Sequence, residues 1–413
     1  MKPDSRFSFA PAASSLHDAA SVDRILSGLA DALAKAGGVR CTAGDAPLEQ
    51  PLVHVVLTGG TERLVLERLR ARASRSGREA VILVAHPAHN SLAASLEILA
   101  RVRADGGAGR IVLVEGEPAD VERIREAAHL AGVGLSLRRA RLGAVGEPAE
   151  WLVASSHNAT AVRKSWGPEI VQVPIRDLSD RLGGATSDPA MAKDLLAGAG
   201  KTEVPDSAVT EASGVYRALE AIVTEHRLWA LTVRCFDLVV NQKTTGCIAL
   251  SRLADDGVPA GCEGDVPAAV ALLWLHLLTG DVAWMANPAR ISPQRGEMVL
   301  AHCTVPRTMV RSYDVRTHFE SGLGVAIAGE IAPGPVTLLR IGGEGLEKIW
   351  VAEGQLHQSP RIESLCRTQA LVKTDPEALA QLLERPLGNH LVLIPGHRAK
   401  LLQASRELIL ESA

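Results

Sequence analysis

The chain has 413 residues, of which 46% are hydrophobic and 22% are charged, a composition typical of a folded globular protein. At roughly 150 residues per domain, this length predicts two or three domains. The net charge of −3 lacks the basic excess that nucleic-acid-binding proteins usually carry. We therefore expect no nucleic-acid partner.

The sequence predicts neither a membrane segment nor a secretory signal. The longest apolar stretch, residues 266–279, contains Pro267 and His276 and is shorter than the ~20 residues that a spanning helix needs. Residues 1–18 lack the apolar core of a signal peptide. The six cysteines form no CxxC pair, which favours a reducing compartment. We expect a cytoplasmic protein without a disulfide framework.

The N-terminal third predicts an α/β domain. Residues 1–20 are predicted to be a disordered tether, and the domain is predicted over residues 21–150. Three apolar runs are each followed by a helical pattern, at residues 52–57, 81–84 and 110–114. Repeated strand–helix units are typical of a parallel sheet with helices on both faces. A fourth run, residues 151–155, predicts the start of a further unit.

The rest of the chain predicts two more domains. Residues 151–300 are predicted to form a central α/β domain, with strands at 231–240 and 283–287 and helices at 208–226 and 266–278. Residues 301–413 contain short apolar runs between Gly and Pro turns, which predict an antiparallel β domain closed by a helix at 399–411. The predicted fold class is α/β, with two doubly wound parallel-sheet domains followed by a C-terminal antiparallel β domain.

Polar residues that suit a metal site stand at the predicted ends of these elements. Glu263 and Asp265 precede the helix that begins near Pro267, and Asn287, His302 and His390 lie beside predicted strands. Carboxylate, imidazole and amide groups together form a ligand set that Mn²⁺ or another divalent cation accepts. The sequence predicts a metal site made of Glu263, Asn287, His302 and His390. Asp265 is either a helix cap or a proton-transfer group, and taken alone its position favours the cap.

Several short motifs, in this order, resemble the L-fucose isomerase-like family. They are Thr58-Gly59-Gly60-Thr61-Glu62, His86 to Leu92, Gly146-Glu147-Pro148 with Trp151 to Ser155, Cys262-Glu263-Gly264-Asp265, Trp284 to Pro288, Ala301 to Thr304, and Gly388-Asn389-His390. The resemblance extends from about residue 50 to residue 400, and its specificity comes from the order and spacing of the motifs.

The resemblance implies a Mn²⁺-dependent aldose–ketose isomerase that acts on a small carbohydrate and assembles as a homo-trimer or homo-hexamer. Glu263 matches the metal-binding glutamate of the fucose enzymes and His390 matches their C-terminal histidine ligand. Asn287 falls where those enzymes carry a metal-binding aspartate. His302 resembles a histidine ligand of the related arabinose isomerases. Glu263 and Asp265 are the expected catalytic residues.

Asn287 departs from the family pattern. An amide oxygen can bind a cation, but it carries no charge and cannot accept a proton as a base. Isomerisation through an ene-diol needs a base and an acid that move a proton between neighbouring carbons. Asp265, Glu320 and Asp237 are the alternatives for the missing base.

Five further residues are candidates for substrate binding: Asn389, Lys243, Arg367, His318 and Glu320. His318 and Glu320 would share a face of a strand, which indicates either an exposed edge or an acid/base pair beside the metal. Arg367 could bind an anionic group, although an interface ion pair is the more common role of such a residue. Lys243 could stabilise negative charge on the substrate, although an exposed lysine is the ordinary interpretation.

Two classes of function remain open. The first is a metal-dependent aldose–ketose isomerase acting on a small polyhydroxy aldehyde or ketone. The second is a non-isomerising carbohydrate-binding or regulatory protein that keeps the fold, a hypothesis motivated by Asn287. A lyase or aldolase on the same scaffold is a third alternative, which carbon–carbon cleavage in the same assay would reveal.

Overall fold

The computed structural model of the protein describes residues 6–155, 159–184 and 187–410. Within this part of the chain, one unit comprises the residues up to 139 together with residues 400–410, and a second unit comprises residues 140–399. No helix among these residues is long and apolar enough to cross a membrane. The six cysteines are free thiols.

The N-terminal unit is built on a five-stranded parallel sheet. Its strands are β1 (Phe7–Ala12), β2 (Gly38–Arg40), β3 (Leu52–Val56), β4 (Val81–Ala85) and β5 (Gly109–Leu113). Its helices are α1 (Ala19–Lys35), α2 (Glu62–Ser76), α3 (Ser91–Ala104), α4 (Asp120–Arg139) and the closing helix Ala399–Leu410. The strand order β2-β1-β3-β4-β5 is that of a doubly wound, flavodoxin-like sheet. Every residue of β3 and β4 is buried, as expected for strands covered on both faces.

The prediction of a disordered tether over residues 1–20 is wrong, because Phe7–Ala12 form the strand β1 and α1 begins at Ala19. β1 pairs with both β2 and β3, so it lies inside the sheet, and Phe7 and Phe9 are buried. Asp18 caps α1 by accepting a hydrogen bond from the Ser21 backbone N–H. The segment is short and contains Ser8 and Pro11, so its burial depends on pairing with strands that are distant in the sequence.

The second unit begins with a four-stranded parallel sheet of order β7-β6-β8-β9. Its strands are β6 (Arg141–Val145), β7 (Glu169–Val173), β8 (Ala230–Val233) and β9 (Ala260–Cys262). The helices described in this part are α5 (Ala159–Ser165), α6 (Ile175–Gly184), α7 (Pro189–Ala197), α8 (Asp206–His226), α9 (Phe236–Gln242), α10 (Cys247–Asp255) and α11 (Val266–Thr279). α11 is buried along nearly its whole length, which explains its apolar composition.

Two predicted strands of this unit are wrong. Residues 151–155 form turns, and the strand lies earlier, at Arg141–Val145. The strand predicted over 231–240 ends at Val233, and the apolar residues after it belong to α9. A short apolar run does not distinguish a strand from a buried helix. Here the predicted strand 231–240 includes most of β8 and the first part of α9.

A closed antiparallel barrel follows, with the strand order β10-β11-β16-β15-β14-β17. Its strands are β10 (Trp284–Ser292), β11 (Glu297–His302), β14 (Gly334–Gly342), β15 (Lys348–Gln358), β16 (Thr368–Thr374) and β17 (Leu391–Pro395). A two-stranded ribbon of β12 (Val310–Arg316) and β13 (Ala326–Ile331) and the helix α12 (Pro376–Glu384) complete it. The predicted fold class is confirmed. The barrel starts at Trp284, within the region that the sequence assigned to the central domain.

This unit brings the predicted metal ligands to a common place. Glu263 directly follows β9, His302 is the last residue of β11, and His390 directly precedes β17. β10 pairs with both β11 and β17, and its Asn287 lies opposite Ala301. The strand pairing therefore collects residues that are far apart in the sequence.

Candidate metal centre

Glu263, His302 and His390 form a buried cluster. One ligand atom from each residue lies within 4.8 Å of the other two. The His390 Nε2 atom is 3.4 Å from Glu263 Oε1, and the His302 Nε2 atom is 3.9 Å from the same oxygen. One carboxylate oxygen thus faces two imidazole nitrogens. This spacing suits three ligands of a single cation, each of which would lie about 2.0–2.6 Å from it.

The backbone at Glu263 and Gly264 is unusual and aims the carboxylate. Glu263 has a φ of 62° and Gly264 has a φ of 75°, both in the left-handed region. A Cβ on Gly264 would lie 2.7 Å from Pro148 Cα, so glycine is required there. The Glu263 carbonyl accepts a hydrogen bond from the Ala149 N–H at 2.9 Å. Positive φ at a non-glycine residue costs free energy and is common where a side chain must take one fixed direction.

The two oxygens of Glu263 have different neighbours. The Trp151 indole N–H donates a hydrogen bond of 2.7 Å to Oε2, which leaves Oε1 facing the two histidines. Burial by itself would raise the pKa of the Glu263 carboxyl. The His302 and His390 rings outweigh that effect and hold the pKa well below its ordinary value. Glu263 therefore stays ionised, as a metal ligand must.

The other nitrogen of His390 is fixed by Asp265. The two groups share a hydrogen bond of 2.9 Å between Nδ1 and Oδ2. Burial lowers the pKa of His390, but the hydrogen bonds and charges of Asp265 and Glu263 dominate and raise it to about 9. Nε2 of His390 is buried and forms an ion pair with Glu263 Oε1 at 3.4 Å, a contact that is long for a hydrogen bond.

Asp265 is the centre of a fully buried network. Its Oδ1 accepts a hydrogen bond of 2.8 Å from the Ala268 N–H and so caps α11. Its Oδ2 accepts one of 2.8 Å from Arg340 Nη1. Burial would raise the pKa of Asp265, but Arg340 and His390 lower it to about 2. Both oxygens are engaged and the side chain is inaccessible, so Asp265 suits the orientation of His390 better than the predicted transfer of a substrate proton.

Arg340 connects this network to the rest of the barrel. It is 1% exposed and also donates to the Ser155 hydroxyl at 2.6 Å and to the His390 carbonyl at 3.1 Å. A buried arginine with this many partners holds both its charge and its geometry. His390 is thus fixed through its ring and through its backbone.

His302 is held in the same manner as His390 but by a neutral partner. Its Nδ1 lies 2.9 Å from the Thr304 hydroxyl, two residues along the chain. The ring is buried, and its centroid is 5.6 Å from that of His390. In both histidines Nδ1 has a partner while Nε2 points toward Glu263, which is the arrangement that fixes the tautomer of metal-ligating imidazoles.

Asn287 and Asn389 pair with each other beside the cluster. The Asn389 side-chain N–H donates a hydrogen bond of 3.0 Å to Asn287 Oδ1. The oxygen that the sequence assigned to the metal therefore accepts a hydrogen bond from the residue assigned to the substrate. Asn389 is exposed and Asn287 is half-buried.

The remaining predicted site residues make other contacts. The exposed Lys243 ends α9 and donates to the Val240 carbonyl. Arg367 donates to the Thr317 carbonyl at 2.8 Å and lies over the Phe319 ring. Asp237, an alternative base, pairs with Arg234 at 2.8 Å.

The strand predicted at His318 and Glu320 is wrong, because this segment is a turn. Glu320 is exposed, whereas His318 is buried and shares a hydrogen bond with the Ser321 hydroxyl. The two side chains therefore do not lie on a common strand face. His318 still contacts the aromatic pair of the site, since its ring is 5.7 Å from Phe236, which in turn packs against Trp151.

The sequence interpretation missed Trp151, Ser155 and Arg340. Arg340 could have been found, because a lone arginine inside the apolar run 336–341 indicates a buried charge that needs a partner. Trp151 and Ser155 belong to a motif of the family resemblance, but their run was interpreted as a strand and no site role was assigned to them.

The residues present fit a divalent cation. The set of one carboxylate and two imidazoles suits a first-row transition metal. The convergence of three buried ligand atoms within 4.8 Å of one another supports this fit. Glu263, His302 and His390 would hold the ion, with Asp265 and Thr304 orienting the two rings.

No protein-family model matches the chain. Among curated proteins, the chain is 24% identical over 144 residues to the sulfoquinovose isomerase of Alkalicoccus urumqiensis, which is 33% of this chain and 32% of that protein. It is 23% identical over 173 residues to the sulfoquinovose isomerase of Clostridium sp. (strain MSTE9), which is 40% of this chain and 38% of that protein. The aligned segments cover well under half of each relative. The resemblance to the L-fucose isomerase-like family itself stays a prediction.

Proposed function

We propose that this protein is a metal-dependent sugar isomerase that interconverts an aldose and its ketose. The cluster of Glu263, His302 and His390 supports the metal, and the two distant relatives named sulfoquinovose isomerase support the isomerase activity. Mn²⁺ is the cation proposed, since a mixed carboxylate and imidazole set accepts it. The homo-trimer or homo-hexamer expected from the family resemblance belongs to the same proposal.

The observation that carries the proposal is the convergence of Glu263, His302 and His390 on one buried point. The ring of His390 is anchored at Nδ1 by Asp265, and its Nε2 lies 3.4 Å from the ionised Glu263 carboxylate. A histidine that served only to stabilise the fold would need no second imidazole facing the same carboxylate oxygen, yet His302 Nε2 lies 3.9 Å from it. These three residues would hold a divalent cation.

Each neighbouring residue has a role in this proposal. A bound divalent cation would polarise the sugar carbonyl and stabilise negative charge on its oxygen. Glu263 stays ionised and is more accessible than Asp265, so we assign it the role of base as well as ligand. Trp151 holds the second oxygen of Glu263, and its half-exposed ring offers an apolar face to a sugar. Asn389 and Asn287 are the polar groups available for sugar hydroxyls.

The test is an assay of purified full-length protein after removal of metal with a chelator. Mn²⁺ is returned, and a panel of aldoses that includes sulfoquinovose is followed by NMR in D₂O. We expect a ketose product and deuterium incorporation at the carbon next to the carbonyl, both dependent on the metal. Glu263→Gln should abolish turnover, whereas His357→Gln, which changes an exposed histidine of β15, should keep it. If no aldose turns over and no metal binds, the proposal is wrong.

A non-isomerising carbohydrate-binding protein is the second candidate, favoured by Asn287. This residue is an amide at the position of a family carboxylate, and its oxygen already pairs with Asn389. The discriminating variant is Asn287→Asp. A strong rise of isomerase activity in this variant would show that the natural chain has lost the reaction, and carbon–carbon cleavage in the same assay would indicate a lyase or aldolase.

A further inference from the structure

Five of the six cysteines of the chain lie in the second unit, and two of them face each other. Cys235 lies two residues after the end of β8, and Cys262 is the last residue of β9. Both are free thiols, and their Sγ atoms are 2.7 Å apart. An S–S bond is about 2.0 Å long, so only a small approach of the two sulfurs separates this pair from a disulfide.

The backbone of the parallel sheet holds the two thiols together. Val233 is the strand partner of Cys262 in the pairing of β8 with β9. The Val233 carbonyl accepts a hydrogen bond of 2.9 Å from the Cys235 N–H and one of 3.1 Å from the Gly264 N–H. One carbonyl therefore binds both segments that carry the sulfurs. The close approach of the thiols follows from this pairing and does not depend on their side-chain rotamers alone.

Cys235 is the thiol that an oxidant can reach more easily. It is 7% exposed, against 3% for Cys262. The helix that follows Cys235 is α9, in which only Leu238 is buried and Val240 is largely exposed. A segment with so few buried apolar contacts opens locally at a low cost in free energy. Hydrogen peroxide is little larger than water, so local opening of α9 gives it a path to the Cys235 sulfur.

Both thiols lie beside the supports of Glu263. Cys262 directly precedes Glu263 in the chain. Phe236 directly follows Cys235, and its ring packs edge-on against Trp151 with the centroids 4.9 Å apart. The Trp151 indole in turn donates to Glu263 Oε2. A covalent bond between the two sulfurs therefore moves the backbone before Glu263, the ring that supports Trp151, or both.

We propose that Cys235 and Cys262 form an oxidative modification site, at which a peroxide converts the two thiols to a disulfide and weakens the metal centre. The thiolate of Cys235 attacks one peroxide oxygen, so that an S–O bond forms, the O–O bond breaks and hydroxide leaves. The Cys262 sulfur then attacks the resulting sulfenic acid. The S–S bond forms, the S–O bond breaks, and the hydroxyl leaves as water with the Cys262 proton. In total, two thiols lose two electrons and one peroxide is reduced to two waters.

The test treats the reduced full-length protein with hydrogen peroxide, blocks the remaining thiols by alkylation and digests the protein with trypsin. Cleavage after Lys and Arg places each of the six cysteines in a different peptide, so mass spectrometry identifies the linked pair. We expect peptide 235–243 to be linked to peptide 253–290 and a thiol reductant to release them.

Two serine variants are matched. Cys235→Ser should leave Cys262 without a disulfide partner, and Cys262→Ser should have the same effect on Cys235. Cys41→Ser removes a half-buried thiol of the other unit and should leave the Cys235–Cys262 link unchanged. Circular dichroism of each variant shows whether it is folded, and the mapping of the natural chain needs no variant.

The effect on the metal centre rests on the proposed function and has its own measurement. Calorimetry with Mn²⁺ should show binding that is roughly tenfold weaker in the oxidised than in the reduced protein, as expected when groups that orient a metal ligand are displaced. The folded Cys235→Ser variant should show no change after peroxide treatment. If the reduced chain binds no Mn²⁺, the proposed function is wrong and this effect falls with it, while peptide mapping still decides whether the disulfide forms.

Three results would overturn the proposal. The first is that excess peroxide leaves both thiols reduced in the natural chain. The second is a link between other cysteines, such as Cys303 and Cys366, which lie in one cluster, in place of the expected link. The third is equal Mn²⁺ affinity of the reduced and oxidised proteins, because the disulfide would then have no influence on Glu263.

Discussion

Two buried histidines mark two different regions of the molecule. His390 lies just before a barrel strand and His54 lies in the first parallel sheet, and within the described part of the chain each has at least one nitrogen without a hydrogen-bond partner. Burial lowers the pKa of both, yet Asp265 and Glu263 raise that of His390 to about 9, whereas that of His54 falls to about 3. Burial beside two arginines therefore leaves the His54 imidazole neutral, whereas two carboxylates keep the His390 imidazole protonated.

The two imidazoles differ in whether a proton or a divalent cation can bind to them. The His390 region holds a proton between carboxylates, and a divalent cation is the natural replacement for that proton. The charges of Arg68 and Arg72 lower the pKa of His54, so they disfavour a proton or a cation at its ring. Four predictions break or sharpen this comparison.

The largest effect is expected for Arg340→Met. This change removes one of the two cationic partners of the buried Asp265 carboxylate and leaves only the His390 ring, which should lower the free energy of unfolding by about 3 kcal/mol, the lower end of the range for a broken buried pair. Arg340 holds both Asp265 and the His390 backbone carbonyl, so its loss should also weaken Mn²⁺ binding by roughly 10–100-fold. Urea unfolding and calorimetry measure the two effects.

The matched control is Arg311→Met, which removes an exposed ion pair with Glu330 and should lower stability far less, because exposed ion pairs are screened by solvent. Equal stability losses in the two variants would contradict the central role assigned to the buried pair.

The sequence identified the three residues that lie together in the cluster, but not the residues that hydrogen-bond to them. Glu263, His302 and His390 could be chosen because each stands at the end of a predicted strand or helix, where α/β folds place functional groups. Asp265 and Arg340 are 75 positions apart, and Trp151 and Glu263 are 112 apart. Such contacts depend on how the barrel closes, which local patterns do not specify.

The same limit applies to the fold. The run 81–85 is buried on both faces of the sheet, and its continuous apolar sequence correctly predicts a strand. β1 is recognisable only once β2 and β3 are placed on either side of it. α9 was assigned to a strand because its seven residues are too few to show a helical period.

The second prediction concerns pH in the metal-free protein. Because the pKa of His390 is about 9 when folded and about 6.5 when unfolded, its contribution to stability is fully present below pH 6.5 and is lost as the pH rises toward 9. Relative to His390→Gln, the natural chain should lose up to about 1.4 kcal/mol for each pH unit in this window.

Binding of Mn²⁺ should show the opposite trend over the same range. The metal displaces the proton of His390, so its dissociation constant should fall up to about tenfold for each pH unit. Calorimetry in buffers of different ionisation enthalpy measures the released proton. Metal binding without proton release would contradict the assignment of His390 as a ligand.

The third prediction concerns His54 and has the reverse sign. Its pKa is about 3 in the folded chain, so the unfolded chain binds a proton first, and stability is lost as the pH falls below 6.5. Relative to His54→Leu, the natural chain should lose about 2 kcal/mol between pH 6.5 and pH 5. His357→Leu, at an exposed position, should show no such dependence. A stability difference that does not change with pH would contradict the neutral state of His54.

The smallest effect is expected for Trp151→Phe. The change keeps an aromatic ring against Phe236 but removes the hydrogen bond to Glu263 Oε2. The carboxylate can then rotate, so Mn²⁺ binding should weaken about tenfold, the lower end of the range for groups that orient metal ligands. The free energy of unfolding should change little, because Trp151 is half-exposed. Trp229→Phe, at a half-buried tryptophan of the same unit, serves as the control. If Trp151→Phe instead lowers stability as much as Arg340→Met while metal binding is unchanged, the indole supports the fold and does not orient Glu263.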